Sequence, residues 1–122
     1  MQQVLIYNIT HPASAPVQAH YCESFLCRLR GLMFRRALGM YEGLLMVQTK
    51  SSRVDAAIHM FFMNFDIATI WLDEDLRVVD SQLCRRWRPA YVPAAAARYV
   101  LETHVLRKDD FRADDQLLVE SC

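Results

Sequence analysis

One histidine in an unusually apolar segment is the first residue with chemical potential. His59 lies between Ile58 and Met60, and Asn64 follows five residues later. A histidine held among apolar side chains can act as a general base, and a nearby amide can orient a substrate. The competing interpretation is that His59 is a core or rim histidine among packing residues, which are far more common than catalytic ones.

A histidine base is usually oriented by a carboxylate, and the chain offers two candidates. Asp66 follows the His59 segment, and Glu102 lies in a later apolar stretch. Either carboxylate beside His59 would make the chain a small hydrolase-type enzyme. No GxSxG nucleophile elbow accompanies these residues. We therefore keep His59, Asp66 and Glu102 as catalytic candidates without assigning a reaction.

The strongest ligand-like feature is a tryptophan flanked by arginines. Arg86, Trp87 and Arg88 are consecutive in a proline-rich segment, and Arg30 and Arg35 belong to an earlier arginine cluster. Guanidinium groups hold carboxylates or phosphates, and an aromatic ring between them can stack on a sugar or base. The alternative is that these arginines pair with the acidic block 66–80 and with Glu102, which would fix loops to the fold. The predicted ligand-binding residues are Arg30, His59, Asn64, Arg86, Trp87 and Arg88.

The four cysteines are predicted to be free and mostly buried thiols. They are Cys22, Cys27, Cys84 and Cys122, and none shows CxxC spacing. A thiol nucleophile would pair Cys27 or Cys84 with His59 or His104, and the arginines after Cys84 would lower the pKa of that thiol. The histidines lack HxH and HxxxH spacing, so we expect no metal and no cofactor.

The charge balance excludes two classes of protein. The chain has 122 residues, with 14 basic and 14 acidic side chains and 53% hydrophobic residues. That composition excludes a disordered tail and a globally basic nucleic-acid binder. The charges are nevertheless uneven, because residues 1–53 and 81–106 are basic whereas residues 54–80 and 107–122 are acidic.

Neither a leader nor a membrane span is visible in the sequence. Residues 1–7 have no basic region, and their apolar run is too short for a secretory signal. No apolar stretch approaches the length needed to cross a bilayer. We therefore expect a cytoplasmic protein without a membrane partner, and the sequence leaves its oligomeric state open.

The apolar periodicity predicts a mainly β domain. We expect strands near 4–9, 44–48, 56–65, 67–72, 76–79, 99–105 and 117–119, with 56–65 as a central strand. Ser24 and Gly31 bound a short predicted helix. Residues 1–122 are then a single domain, an open barrel or two packed sheets of about seven strands with one or two short helices.

Several ordered motifs resemble one family over about residues 25–120. They are Arg30-Gly31-Leu32-Met33-Phe34-Arg35, Gly43-Leu44-Leu45-Met46 and Ile58-His59-Met60-Phe61-Phe62-Met63-Asn64-Phe65. This order resembles the domain-of-unknown-function 192 family, also called uncharacterised protein family 0127. The resemblance implies a compact, mainly β domain with no established reaction or cofactor. Ala68 stands where the family usually has an aspartate, and Asp66 is the nearest substitute.

Three functions are consistent with these observations. The first is a ligand-binding module with an Arg/Trp-lined concave site for a small anionic or polar ligand. The second is the small hydrolase-type enzyme built on His59. The weakest is a single-stranded nucleic-acid binder, because a chain without net positive charge is not expected to bind nucleic acid.

Overall fold

The computed structural model describes residues 2–122, which form one seven-stranded mixed sheet that curves into a half-barrel. The strands are β1 Gln3–Asn8, β2 Val17–Cys22, β3 Glu42–Ser52, β4 Ile67–Leu72, β5 Val78–Cys84, β6 Ala97–His104 and β7 Leu117–Ser121. Helix α1 spans Phe25–Arg30, and a 3-10 helix spans Val105–Asp110. The predicted mainly β open barrel of about seven strands with short helices is confirmed. None of the helices in residues 2–122 has the length and apolarity to cross a membrane.

The order of the strands places β6 near the middle of the sheet. That order is β5-β4-β6-β3-β2-β1-β7, and only β2 and β3 are parallel neighbours. Glu102 on β6 is therefore opposite Thr69 of β4 on one side and Leu44 of β3 on the other. A carboxyl at this position belongs to the interior of the fold.

Side chains alternate between two apolar clusters, one on each face of the sheet. Met46, Trp71 and Val100 belong to the first cluster, whereas Val47, Ile70 and Leu101 belong to the second. The first cluster is completed by residues outside the strands, namely Leu32, Leu38, Ala56, Ile58, Met60 and Met63. This face of the sheet is thus covered by the segment that follows α1 and by the loop that precedes β4.

The predicted strand at 56–65 is wrong, and β2 was not predicted. Residues 56–65 form turns, with one isolated bridge between Ile58 and Tyr91 and with Phe62 at a φ of 61°. The segment is apolar because Met60 and Met63 are buried in the core while Phe61 and Phe62 remain exposed. Strand β2 escaped prediction because it starts directly after the loop around Pro16, and polar residues interrupt its apolar positions.

The buried residue Arg107 joins three segments of the chain. Arg107 is 4% exposed and pairs with Asp110. Its guanidinium also donates to the carbonyl oxygens of Met40 and Ala15 and lies over the ring of Phe111. Arg107 therefore anchors the 3-10 helix to two other parts of the chain.

We expect Arg107→Ala to lower the free energy of unfolding by about 3 kcal/mol, because two carbonyl groups and Asp110 lose a charged donor. Urea denaturation measures this change. Arg112→Ala is the matched control, since Arg112 is exposed and its side chain donates only to the Asp109 carbonyl. Equal effects of the two substitutions would contradict the anchoring role.

Candidate functional site

A cavity of about 430 Å³ opens on the covered face of the sheet, among α1, β3 and the loop before β4. Its apolar wall includes Leu32, Met46 and Met63. Its polar lining residues are Arg28, Arg30, Gln48, Thr49, Asp55, His59 and Glu102. The volume and the few converging polar groups are typical of small-molecule sites. We call this space the Glu102 cavity.

Glu102 supplies the most unusual group of the cavity. Its side chain is buried, and no hydrogen bond or ion pair within residues 2–122 satisfies its carboxyl group. Burial raises the pKa of Glu102 from its ordinary value of 4.5 to about 7. Buried polar groups nearly always have a partner, so the Glu102 carboxyl is free to accept from a donor that enters the cavity.

Gly31 allows the chain to pass close to Glu102. A side chain added at Gly31 would place its Cβ 3.6 Å from Oε1 of Glu102, and the φ of 52° strains any other residue there. Gly31 also ends helix α1, which begins at Ser24, where the side-chain oxygen accepts a hydrogen bond from the Cys27 amide. The predicted helix boundaries are therefore correct.

His59 reaches the same cavity from the opposite side. The Nδ1 atom of its ring accepts a hydrogen bond from the Phe61 amide at 3.2 Å. A neutral His59 consequently carries its proton on Nε2. The loop is fixed at this point by two backbone hydrogen bonds between Ile58 and Tyr91. His59 is thus positioned by backbone contacts and not by a carboxylate.

A disulfide attaches helix α1 to the sheet, which corrects the expectation that all four cysteines are free. Cys22 at the end of β2 is bonded to Cys27 in α1, with their Cα atoms 5.6 Å apart. The turn at Ser24 brings the two residues within the range that a disulfide requires. None of the residues of α1 is buried. The disulfide and the bond from Arg28 to the Val47 carbonyl therefore hold this wall of the cavity in place.

The thiolate hypothesis for Cys84 is wrong. Burial raises the pKa of the Cys84 thiol to about 12, although Arg85 and Arg86 follow it in the sequence. Their guanidinium groups do not contribute because the side chains lie on the exposed surface while the thiol faces the core. Within residues 2–122, no three His, Cys, Asp or Glu side chains converge on a common point where a metal ion would bind.

Arg30 borders two cavities. It lines the Glu102 cavity and also a second space of about 460 Å³ on the other side of α1, together with His20 and Leu44. The second cavity brings fewer polar groups together, although Nδ1 of His20 lacks a hydrogen-bond partner within the described chain. We take the Glu102 cavity as the candidate site because three predicted site residues, Arg30, His59 and Glu102, meet there.

The remaining predicted site residues lie in a separate group of loops. The Asn64 side chain donates to the Arg35 carbonyl at 2.8 Å. Asp66 accepts from the Arg86 amide and forms an ion pair with its guanidinium at 3.4 Å. Trp87 packs against Phe62 with ring centroids 5.3 Å apart. None of these residues lines the Glu102 cavity.

The predicted pairing of arginines with acids occurs at Arg86 only. Arg35 pairs with Glu42, which lies outside the acidic block, at 3.6 Å. In residues 2–122, Arg30 and Arg88 have no ion-pair partner. Ala68 is fully buried in the second cluster, on the other face from the cavity. Asp66 does not replace the aspartate of the family at that position, because it is engaged with Arg86.

Sequence reasoning missed several residues that line the cavity. Gln48 and Thr49 follow the buried part of β3, and Asp55 and Arg28 come from neighbouring segments. The one available signal was the change from a fully apolar strand to polar residues at Gln48. That signal does not indicate what faces those residues, because the covering loop was predicted as a strand.

Comparison with known proteins assigns the family. Residues 7–117 match the domain-of-unknown-function 192 family, DUF192, described as "Uncharacterized ACR, COG1430". The chain belongs to this family. DUF192 proteins named UPF0127 in Thermococcus gammatolerans and Thermococcus kodakarensis are 46% and 39% identical to it over 80 and 98 residues. The first alignment covers 66% of this chain and 50% of the relative, and the second covers 80% and 60%. The chain thus spans about half to three-fifths of their length.

Two solved structures share the fold of this DUF192 chain. A candidate transcription regulator from Sinorhizobium meliloti has a TM-score of 0.81 at 15% identity, covering 97% of this chain and 92% of its own. A Novosphingobium aromaticivorans protein of unknown function has a TM-score of 0.76 at 17% identity, covering 95% and 83%. At these identities the similarity shows the fold alone. The family membership predicted from the motifs is confirmed, and the family has no known function.

The raised pKa of Glu102 predicts how stability depends on pH. Because the folded protein binds the Glu102 proton more tightly than the unfolded chain, stability from this group is full below pH 4.5 and is lost as the pH rises through 7. Relative to Glu102→Gln, the wild-type protein should lose about 3 kcal/mol of unfolding free energy between pH 4 and pH 8. Urea denaturation at both pH values measures the difference.

Glu74→Gln is the control, because it also replaces a carboxyl by an amide but does so on the exposed surface. Its pH profile should be parallel to that of the wild type. Parallel profiles for Glu102→Gln would show that Glu102 is not held as a desolvated acid.

Proposed function

We propose that the protein is a small-molecule binding domain and that its ligand occupies the Glu102 cavity. The observation that carries this proposal is the buried Glu102 carboxyl without a partner in the chain. A hydroxyl or ammonium group of a ligand would donate to it. The proposal keeps the small anionic or polar ligand expected from the sequence and places it between Glu102 and Arg30.

The other lining residues narrow the class of ligand. Leu32, Met46 and Met63 form an apolar wall suited to an aliphatic or aromatic body, and methionine side chains adapt to irregular shapes. Arg30 is exposed at the edge of the cavity and has a guanidinium suited to a carboxylate. We therefore propose a ligand with a carboxylate, an apolar body and a hydroxyl or amino group, such as an apolar amino acid or its 2-hydroxy acid.

This proposal is tested by binding of free leucine, methionine, phenylalanine and the corresponding 2-hydroxy acids. We expect at least one of them to raise the melting temperature of the wild-type protein in a concentration-dependent manner. The shift should be lost in Glu102→Gln and reduced about ten-fold in apparent affinity in Arg30→Gln, because each loses one charged contact.

Trp87→Ala is the control for this experiment. Trp87 was predicted to line the same concave site, and the proposal now places it outside, so this variant should bind as the wild type does. Loss of the thermal shift in Trp87→Ala but not in Glu102→Gln would move the ligand to the Arg86–Arg88 loop. Absence of any shift with all probes would contradict the proposed ligand class.

A hydrolase-type enzyme is the second candidate, and one observation favours it. His59 and Glu102 line one cavity, and the pKa of Glu102 at about 7 is suited to proton transfer near neutral pH. Asp66 is a weaker partner for His59 because it binds Arg86. We expect any turnover in an ester and amide substrate screen to be lost in His59→Gln. Turnover that persists at the wild-type rate in this variant would exclude His59 as the base.

We also propose the cytoplasmic location expected from the sequence, although one observation opposes it. The Cys22–Cys27 disulfide is more typical of oxidising compartments, since disulfides are rare in the cytosol of most organisms.

A further inference from the structure

Three exposed aromatic rings form a continuous cluster away from the Glu102 cavity. Phe34 stacks on Phe62 with centroids 5.2 Å apart, and Phe62 meets Trp87 edge to face at 5.3 Å. The three residues are 62%, 48% and 54% exposed, respectively. Large aromatic side chains usually bury most of their surface, so a contiguous exposed group of them marks an interaction site. We call this surface the aromatic face.

The three residues of the aromatic face have unfavourable backbone conformations. Phe34, Phe62 and Trp87 have φ values of 67°, 61° and 67°, a region that bulky residues rarely adopt. Only five non-glycine residues in the described chain have positive φ, and three of them form this cluster. Strained residues that cluster in this way are characteristic of functional sites, because the surrounding structure must hold them in place.

Hydrogen bonds between three loops maintain that arrangement. The Phe34 amide donates to the Phe62 carbonyl at 3.0 Å, and the Trp87 amide donates to the Met60 carbonyl at 2.7 Å. The Asn64 side chain joins the first two loops through the Arg35 carbonyl, and Arg86 joins the third through the Asn64 carbonyl. The rings are therefore presented by a preorganised platform and not by independent mobile loops.

The same three loops concentrate positive charge that the net charge of the chain conceals. Segments 31–38, 59–66 and 85–91 contain five arginines, namely Arg35, Arg36, Arg85, Arg86 and Arg88, and one acidic residue, Asp66. Arg35 and Arg86 are engaged in ion pairs. Within residues 2–122, the guanidinium groups of Arg36, Arg85 and Arg88 have no acidic partner. They are exposed and available to a polyanion.

We propose that the aromatic face binds single-stranded nucleic acid, with bases stacked on Trp87 and the phenylalanine rings and with phosphates held by Arg85 and Arg88. Aromatic platforms flanked by basic side chains bind single strands through these two contacts. The sequence set nucleic acid aside on net charge, whereas five of the twelve arginines lie in the three loops that carry the aromatic face. This site is independent of the Glu102 cavity, so either proposal can fail without the other.

The test uses a fluorescein-labelled single-stranded oligothymidylate of about ten nucleotides, a length within the usual site sizes. Fluorescence anisotropy at about 50 mM salt should show saturable binding to the wild-type protein. Raising the salt to about 200 mM should weaken it with a log–log slope of about −1.4, as expected for the two phosphate contacts of Arg85 and Arg88. Part of the tryptophan emission should be quenched. The quenched part must come from Trp87, because Trp71 is fully buried and cannot stack on a base.

Two variants and a control identify the contacts. Trp87→Ala should weaken binding about ten-fold or more through lost stacking. Arg88→Gln leaves the aromatic residues in place and should lower the magnitude of the salt slope by about 0.7. Arg112→Gln removes an exposed arginine outside the three loops and should bind as the wild type does. A melting temperature for each variant shows whether it has folded.

Three results would overturn the proposal. The first is the absence of saturable binding at low salt. The second is equal affinity for heparin and the oligonucleotide with no loss in Trp87→Ala, because that pattern indicates charge alone. The third is a dimer that Trp87→Ala dissociates while tryptophan emission is unaffected by the oligonucleotide, since the face would then contact a second copy.

Discussion

A carboxyl group buried near the middle of the sheet is the constraint on which the candidate site depends. Glu102 lies on β6, between β4 and β3, where buried Thr69 is opposite it on one side and buried Leu44 on the other. Removing a carboxyl from water is costly unless it finds a partner or takes up a proton. The chain provides no partner among residues 2–122, and instead opens a cavity at that point. Gly31, with a φ of 52°, allows the covering segment to turn close to that carboxyl.

The covering segments divide the molecule into two surfaces with different chemistry. Helix α1 and the first part of the 53–66 loop enclose the Glu102 cavity, where one acid, one histidine and an arginine meet apolar walls. The later part of the same loop turns outward and presents Phe62 beside Trp87. Residues 58–65 therefore serve both surfaces: Ile58 and Met63 face inward, and Phe61 and Phe62 face solvent. A substitution that alters the backbone of residues 58–65 would therefore disturb both surfaces.

Much of the fold was predictable because most strands carry a continuous or alternating apolar pattern. Strand β4 was predicted at its observed bounds, since every residue from Ile67 to Leu72 is buried. The helix was also predictable, because Ser24 and Gly31 have the chemistry of caps. The 53–66 loop was not, because its long apolar run is typical of a central strand, although its turns are stabilised by contacts with Tyr91 and Arg88 far along the chain.

The candidate site was predictable only in part. Candidate residues could be chosen by their type, but which of them come together depends on tertiary pairing. Arg30 and His59 meet Glu102 because α1 and the loop before β4 both border the cavity on that face of β6. Asp66 instead pairs with Arg86, and Cys84 is buried in the core. The disulfide between Cys22 and Cys27 followed from the unpredicted strand β2, which sets the position of Cys22. Local sequence carries none of these long-range relations.

The desolvation of the Glu102 carboxyl is measured most directly by an NMR titration of its side-chain carboxyl carbon, assigned by its absence in Glu102→Gln. We expect a pKa of about 7 in the free protein, because the carboxyl is desolvated and has no partner among residues 2–122. A pKa near the ordinary value of 4.5 would show that the carboxyl is hydrated or paired, and it would contradict the account of the cavity.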